Sequence, residues 1–512
     1  MTSQVSNNQR IAKNTVLLYV RTFFVMLISL YTSRVLLQVL GVEDYGVYQV
    51  VGGMVAMFAV ISNALATAIS RFITFEIGSG NHGRLLEVFA TSRVVQLVIS
   101  GIVLILGEIV GLWFLHTYMQ IPEGRMVAAN WVLQFSLVAF CINLLNIPYN
   151  ACIIAHEHMK AFAYITIFEA VCKLGICFLI MASPIDSLIY YALLLMVLAF
   201  VLFMLYKYYC KKRFEECNSK IYFHKPIFKE MFGFAGWSFF SNTMHIFNSQ
   251  GVNMLINVFF GVTINAARGI ANQVESAVMQ FVNSFTVAIN PQITKSYAAG
   301  ANESMYVLVC RGAKFSYFLM LMMALPLMCE ADIILRLWLV EVPPHAVILV
   351  QLSLVLGLLD AIGLSGYTAC LATGRLKKYA LIITSIGILE FPLSWAAFAL
   401  GGVVEVSYYI YIFVKFAVLI ARMILLKDMV GLPIRMYVNE VFRPILFTTL
   451  LSIVPSIMLI HFMPQSFLRL LLSLIVGVGI TGVMTLFVGM NKGERETVIN
   501  KVQSYIAPLQ KK

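Results

Sequence analysis

The sequence predicts an all-α integral membrane protein of about fourteen transmembrane helices in two pseudo-symmetric lobes. Three observations carry this. Hydrophobic residues make up 60% of the 512 residues and charged residues only 12%, against about 25% charged in an ordinary soluble domain. Apolar runs of about 20 residues recur with short polar breaks, and each is long enough to cross a hydrocarbon core of about 30 Å. Some of these runs carry a polar stripe on one face. Lipid does not tolerate such a stripe, so it must face protein or a water-filled cavity.

Taken in order, the predicted spans fall at 14–38, 46–69, 88–115, 127–150, 161–181, 187–206, 231–258, 264–290, 306–330, 346–372, 379–399, 404–426, 444–462 and 467–488. The leader MTSQVSNNQRIAKN is polar, and no small-residue cleavage site follows the first run. The first span is therefore expected to be a retained helix, not a signal peptide. The longest polar interruption, Lys207 to Pro226, follows the sixth span. It marks off an N-terminal lobe (1–206), a connector (207–229) and a C-terminal lobe (230–426). Residues 427–512 add the last two spans and a tail.

An internal repeat supports the two lobes. A shift of 220 residues lays Gly41-Val42 on Gly261-Val262 and, without a gap, Asn63 on Asn283. Ala68-Ile69 then falls on Ala288-Ile289, Ile73-Thr74 on Ile293-Thr294 and Gly80 on Gly300. The second span superposes on the eighth and the first on the seventh. Equivalent spans lie an even number apart, so both copies cross the membrane in the same direction, as parallel repeats do.

The net charge of +12 resembles a nucleic-acid signal, but its distribution argues for topology. One set of alternating segments holds Arg10, Lys13, Arg71, Arg84, Arg93, Lys160, the connector cluster, Lys295, Arg311, Lys314, Arg375, Lys377, Lys378, Arg422, Lys427, Arg435, Arg443 and the tail cations. The other set holds only Arg34, Arg125, Arg268, Arg336 and Arg469. This is the positive-inside pattern, with both termini in the cytoplasm and no nucleic-acid partner required. The nine cysteines form no disulfide framework, and Cys210 and Cys217 fall on the predicted cytoplasmic side. His156-Glu157-His158 is too closely spaced to put both imidazoles on one helix face, so no metal site is expected.

Reading helices at 100° per residue places the polar groups. In the eighth span Arg268, Asn272, Glu275, Asn283 and Asn290 share one face. In the seventh, Ser238, Ser241, Asn242, His245, Ser249 and Asn253 form a similar face. Gln49, Asn63, Thr67 and Ser70 line up in the second, and Arg21 lies about 10 Å into the first at 1.5 Å per residue. By the repeat, these four spans form equivalent pairs whose polar faces line a cavity. The candidate substrate-binding residues are Arg21, Arg268, Asn63, Asn242, His245, Asn272, Glu275 and Asn283. For each there is a plainer role. Ser and Thr bond their own backbone, and Asn glues helices together. A cation at Arg21's depth costs about 2.5 kcal/mol or more on insertion scales, so a polar environment must offset it. Glu169 and Lys173 are four apart and form an i,i+4 ion pair. Glu108, Asp360, Glu390 and Lys415 are buried ionisable groups, each expected to pair with another helix. Asp360 lies in GLLDAIGLSG, where glycines invite close approach or bending. Asp360, Glu390, Lys415, Glu169 and Lys173 are the candidates for a coupling ion, H+ or Na+. No cofactor is expected. Walker A, nucleophile-elbow and paired-carboxylate patterns are absent, so no enzyme is indicated.

The stretch NTVLLYVRTFFVMLISLYTSRVLLQVLGVEDYGVYQVVGGMVAMF, with ISRFITFEIGSGN and GVTINAARGIANQV, resembles bacterial O-antigen and capsule repeat-unit flippases of the Wzx type. These belong to the MOP superfamily, which includes the MATE multidrug exporters. The resemblance implies a MATE/MOP-like bundle working by alternating access in the bacterial inner membrane. Its substrate would be an oligosaccharide linked by diphosphate to a polyprenyl lipid, for O-antigen, capsule or exopolysaccharide synthesis. It further implies contact with membrane lipids and partnership with a polysaccharide polymerase and chain-length proteins. Arginines on the first and eighth spans, matched here by Arg21 and Arg268, would face the diphosphate, because guanidinium forks bind phosphate oxygens bidentately. Two other classes compete. A multidrug or cation antiporter needs an acidic or aromatic cavity. A membrane polysaccharide polymerase needs a large external loop or interfacial carboxylates, whereas the loops here are short.

Overall fold

The computed structural model describes residues 2–56, 58–117, 121, 124–181, 183, 185–339, 342–496 and 499. The side chains of Arg10, Lys13, Arg34, Val42, Gln49 and Val262 lie outside the described set, as do Lys501, Lys511 and Lys512 altogether. Among the described residues every regular element is helical. In chain order they are α1 Thr2–Ala56, α2 Ala59–Ser79, α3 His82–Leu106, α4 Leu112–Thr117, α5 Met126–Ala155, α6 Met159–Ile180, α7 Ser187–Arg213, α8 Lys225–Ala298, α9 Asn302–Cys329, α10 Ala331–Trp338, α11 Ala346–Ala372, α12 Leu376–Gly387, α13 Glu390–Ala399, α14 Glu405–Val430, α15 Ile434–Tyr437, α16 Arg443–Phe462 and α17 Phe467–Met484. Three π-helical turns, Gly107–Gly111, Val438–Phe442 and Thr485–Gly489, continue or join these helices.

Ten helical stretches among the described residues are long and apolar enough to cross a membrane. They coincide with the predicted third to sixth and ninth to fourteenth spans. Asn14–Ser29 is a shorter apolar helix at the place of the first. The others expected, the second, seventh and eighth, lie within α1, α2 and α8 and are spans with polar stripes. Large apolar side chains such as Phe247, Val258, Phe413 and Ile475 are exposed, as a hydrocarbon-facing surface requires.

By internal contacts the chain forms two compact units, Met1–Thr243 with Val287–Ala301, and Met244–Thr286 with Asn302–Lys512. In the first unit, Leu18 packs on Met159 at the head of α6, while Val35 and Leu36 share a cluster with Ile176 and Ile180 at its end. Asp44 then pairs with Arg125 before α5, and Phe58 reaches Phe140 in its middle, ring centroids 6.2 Å apart. α1 thus packs along α6 and also meets α5. Asp186 caps α7 by accepting from the amides of Leu188 and Ile189 at 3.0 and 3.2 Å. Lys211, Lys212 and Arg213 in the last turn of α7 offset its dipole. Gly80 and Gly300, paired by the repeat, both adopt left-handed φ, 71° and 70°.

In the second unit α11 is the central helix. Met320 of α9 and Glu275 of α8 lie over Gly357, Arg422 of α14 lies over Gly363, and Leu426 lies over Gly366. The glycines of GLLDAIGLSG thus serve close approach, and α11 runs unbroken across them. Two ionic clamps hold the C-terminal helices on α9. Arg469 donates to both oxygens of buried Glu330 at 3.0 and 2.8 Å. Buried Lys314 and its neighbour Arg311 donate to Glu494 at 2.8 and 2.9 Å. These cations were expected only to mark topology and meet lipid. Pairing is what makes their burial tolerable.

Candidate functional site

The candidate residues fall into two groups, one in each unit. The first unit holds Arg21, Asn63, Asn242, Glu169 and Lys173. Phe162, Thr166, Glu169 and Lys173 lie on one stripe of α6, spaced four, three and four residues apart, so they share a helix face. Arg21 of α1 meets this stripe. Its Nε donates to Thr166 Oγ1 at 2.9 Å, and its guanidinium carbon lies 4.9 Å from the Phe162 ring centroid. Glu169 and Tyr206 are within its electrostatic reach. Lys173 Nζ donates to Glu169 Oε1 at 2.7 Å, the expected i,i+4 pair. Both line a cavity of about 300 Å³ together with Tyr48, Ser136 and Asn143. Asn63 is exposed and Asn242 half-buried. Elsewhere in this unit Glu108 accepts from the Gln134 amide at 2.8 Å.

The second unit holds His245, Arg268, Asn272, Glu275, Asn283, Asp360, Glu390 and Lys415. Asp360 and Lys415 are one pair. The ammonium donates to both carboxylate oxygens, at 2.6 and 2.8 Å, and lies 5.0 Å from the Tyr411 ring centroid. His245 lies within electrostatic reach of both. Glu275 and Asn283 line a second cavity of about 300 Å³ with Asp360, Gly363, Tyr367 and Arg422. Asn272 is half-buried on α8. Arg268, 6% exposed, lies under Tyr408 with its guanidinium carbon 5.8 Å from the ring centroid. Its charge also reaches Glu390, which is 2% exposed.

Glu390 sits where the predicted eleventh span breaks into α12 and α13. Asn248 of α8 bridges this break. Its amide donates to Glu390 Oε2 at 2.6 Å, and its carbonyl oxygen accepts from the Phe391 backbone N–H at 3.2 Å. Sequence reasoning missed Asn248, although it lies seven residues after Ser241 on the same face. It also missed Tyr408 and Tyr411, and it counted Arg422 only among the cytoplasmic-side cations. Arg422 lies on α14 between Gly363 and Tyr379, whose hydroxyl accepts from its Nε at 2.9 Å, and it lines the cavity with Asp360.

Many hydroxyls take the plainer role. Thr32, Thr67, Thr74 and Ser284 donate to carbonyls one turn back on their own helices. The two imidazoles beside Glu157 both pack on Phe214 but bond different partners, His156 to Glu216 at 2.6 Å and His158 to the Tyr209 hydroxyl at 2.8 Å.

Residues 18–179 match the family model MatE. No curated protein matches the chain by sequence. Several solved structures share its fold. A MATE in the bent conformation aligns with a TM-score of 0.73 at 13% identity, covering 85% of this chain and 97% of that one. A multidrug resistance MATE family transporter of the MOP superfamily, in an outward-facing conformation, aligns with a TM-score of 0.71 at 13% identity, over 82% and 96% of the two chains. A MOP superfamily transporter from Pyrococcus furiosus, described as having a binding pocket of reverse polarity that suggests a different function, gives a TM-score of 0.69 at 12% identity, again over 82% and 96%. At such identities the likeness is one of fold.

Proposed function

We propose that this chain of MATE fold is a transporter that flips polyprenyl-diphosphate-linked oligosaccharide units across the bacterial inner membrane. The observation that carries this reading is the placement of guanidinium groups inside membrane-spanning units, Arg21 on Thr166 and Phe162, and Arg268 beneath Tyr408. A guanidinium within a bilayer is costly, and one that is not clamped to a carboxylate, as Arg469 is to Glu330, points to a site that uses it. Arginine stays charged when partly desolvated and matches diphosphate oxygens with a fork of donors. A Pyrococcus furiosus transporter of this fold is described as having a binding pocket of reverse polarity, which supports a basic cavity here. Amides such as Asn283 and rings such as Tyr367 would meet the sugar.

A multidrug or cation antiporter is the second reading. Glu275 and Asp360 in one cavity, and the multidrug relatives, favour it. In both readings a coupling ion, H+ or Na+, needs a carboxylate. Asp360 and Glu169 are each held by an ammonium, whereas Glu390 is held by the neutral amide of Asn248. Glu390 is the better candidate for that reason.

The test uses proteoliposomes of the purified chain. A fluorescent polyprenyl-diphosphate oligosaccharide should become accessible to an external enzyme, at a rate lowered at least tenfold by Arg21→Ala. Efflux of a lipophilic cationic dye with no movement of the labelled lipid would favour the antiporter and sink the flippase.

A further inference from the structure

The charges of the second unit do not pair evenly. Asp360 spends both oxygens on Lys415. Glu390 lies within reach of Arg268 and holds the Asn248 amide. Among the described residues, the hydrogen-bond partner of Arg422 is a neutral one, the Tyr379 hydroxyl on its Nε. Asp360, the carboxylate within its electrostatic reach, already accepts from Lys415 on both oxygens. The guanidinium lies across α11 at Gly363, where any Cβ would overlap its Nη1. Arg422 lines a cavity of about 300 Å³ together with Asn283, Glu275 and Asp360. A volume of this size sits at the low end of the range for small-molecule sites, about 300–1,000 Å³. A guanidinium anchored at Nε beside a cavity can turn its fork to a planar or tetrahedral oxyanion.

We infer that an oxyanion of the transported molecule docks on Arg422 in this cavity, with the Asn283 amide as a second donor. Glu275 lines the same cavity and accepts a hydroxyl of the same ligand. The inference rests on the transporter reading above and assigns its anion to α14, beyond the arginines on the first and eighth spans. A lipid diphosphate and the carboxylate of an acidic sugar share this chemistry, and the experiment separates them.

The full chain in phosphatidylcholine nanodiscs would be titrated calorimetrically with inorganic pyrophosphate, glucuronate and, as a neutral control, galactose. One of the two oxyanions should bind, and which one does identifies the source. Arg422→Gln should weaken that binding at least tenfold. Gly363→Ala, which keeps the arginine but crowds it, should weaken it several-fold, as should Asn283→Ala. Arg422→Lys keeps the charge, loses the fork and should fall between. Should Arg422→Gln fail to fold, the Gly363 and Asn283 variants decide. Wild-type affinity in folded Arg422→Gln, or in both of those variants, overturns the inference, as does no oxyanion binding to the wild type. Lipid flipping that persists in Arg422→Gln sinks this site alone. Arg422-dependent oxyanion binding without lipid flipping sinks only the flippase.

Discussion

At the scale of single residues, the charges in this chain are placed by their partners. Arg21 sits on a hydroxyl and an aromatic face, with Glu169 further off. Neither direct contact neutralises it, so its charge stays available for an anion. Under the proposed flippase function, Arg21→Ala should reduce polymer export at least tenfold at equal protein level. Arg21→Lys should restore little of it, because an ammonium lacks the planar fork. Normal export in Arg21→Ala would remove the residue from the substrate path. Asp186 is placed differently. Burial pushes its carboxyl up, but the hydrogen bond and charge of Arg125 together with the amides of Ile189 and Leu188 outweigh this and hold it below the usual carboxylate range. A depressed folded pKa adds stability above the unfolded value of about 3.9, and that stability is lost as pH falls through the folded value. Asp186→Asn should therefore lower the melting temperature of detergent-solubilised protein at pH 7. The gap to wild type should close below about pH 4. A gap of constant size from pH 7 to pH 3 would refute the linkage.

At the scale of elements, most helices were legible because hydropathy alone defines a long membrane span. The polar stripe of α6 was half legible. Glu169 and Lys173 were read as a pair, but Phe162 and Thr166, the partners of Arg21, carry no signal until α1 is laid against them. Asp360 and Lys415 were read as separate groups for the same reason, since they lie on α11 and α14 and only packing joins them. The break between α12 and α13 had a cue that was not used. Pro392 lacks the N–H that would continue the helix from Ile388, and Gly387 precedes the break. The residue bridging it, Asn248, comes from another helix. The corner between α5 and α6 illustrates the same limit. Glu157 adopts a left-handed φ of 60°, which costs a non-glycine residue about 1 kcal/mol or more. It is tolerated because the buried carboxylate accepts from Lys295 Nζ at 2.7 Å and from the Gln292 amide. Gly78 then lets α2 lie directly on the Lys295 backbone. Removing one partner of a buried ion pair costs about 3–5 kcal/mol. Glu157→Ala should thus destabilise the first unit by about 3 kcal/mol in urea or thermal unfolding, and the exchange Glu157→Lys with Lys295→Glu should recover part of it. Glu157→Gly keeps the backbone content and should lose less. Equal stability of Glu157→Ala and wild type would show that the corner is held by packing alone.

At the scale of the whole molecule, the repeat seen in the sequence has a backbone counterpart. Gly80 and Gly300 end their helices in the same left-handed conformation, a geometry that favours glycine. The Gly41-Val42 and Gly261-Val262 matches fall where side chains lie outside the described residues. Apart from the cavity and ion-pair candidates, the positive charge was read as topology and lipid contact, and that reading was too simple. Lys314 and Lys295 neutralise buried carboxylates, and Arg422 lines a cavity. Enough cations remain exposed for the asymmetry to set orientation, Lys211, Lys212, Arg213 and Lys220 of the connector among them. Cys210 and Cys217, the natural thiols of that connector region, are fully buried, so their failure to react would say nothing about sidedness. Lys220 is exposed and gives a direct test. In a variant with all native cysteines replaced, Lys220→Cys should resist a membrane-impermeant maleimide in intact cells and react with it in inverted vesicles. The ground is physical. Translocating a connector with this many cations works against the membrane potential, at about 2.3 kcal/mol per charge for 100 mV. Ready labelling of Lys220→Cys in intact cells would place the connector outside and invert the topology of every span.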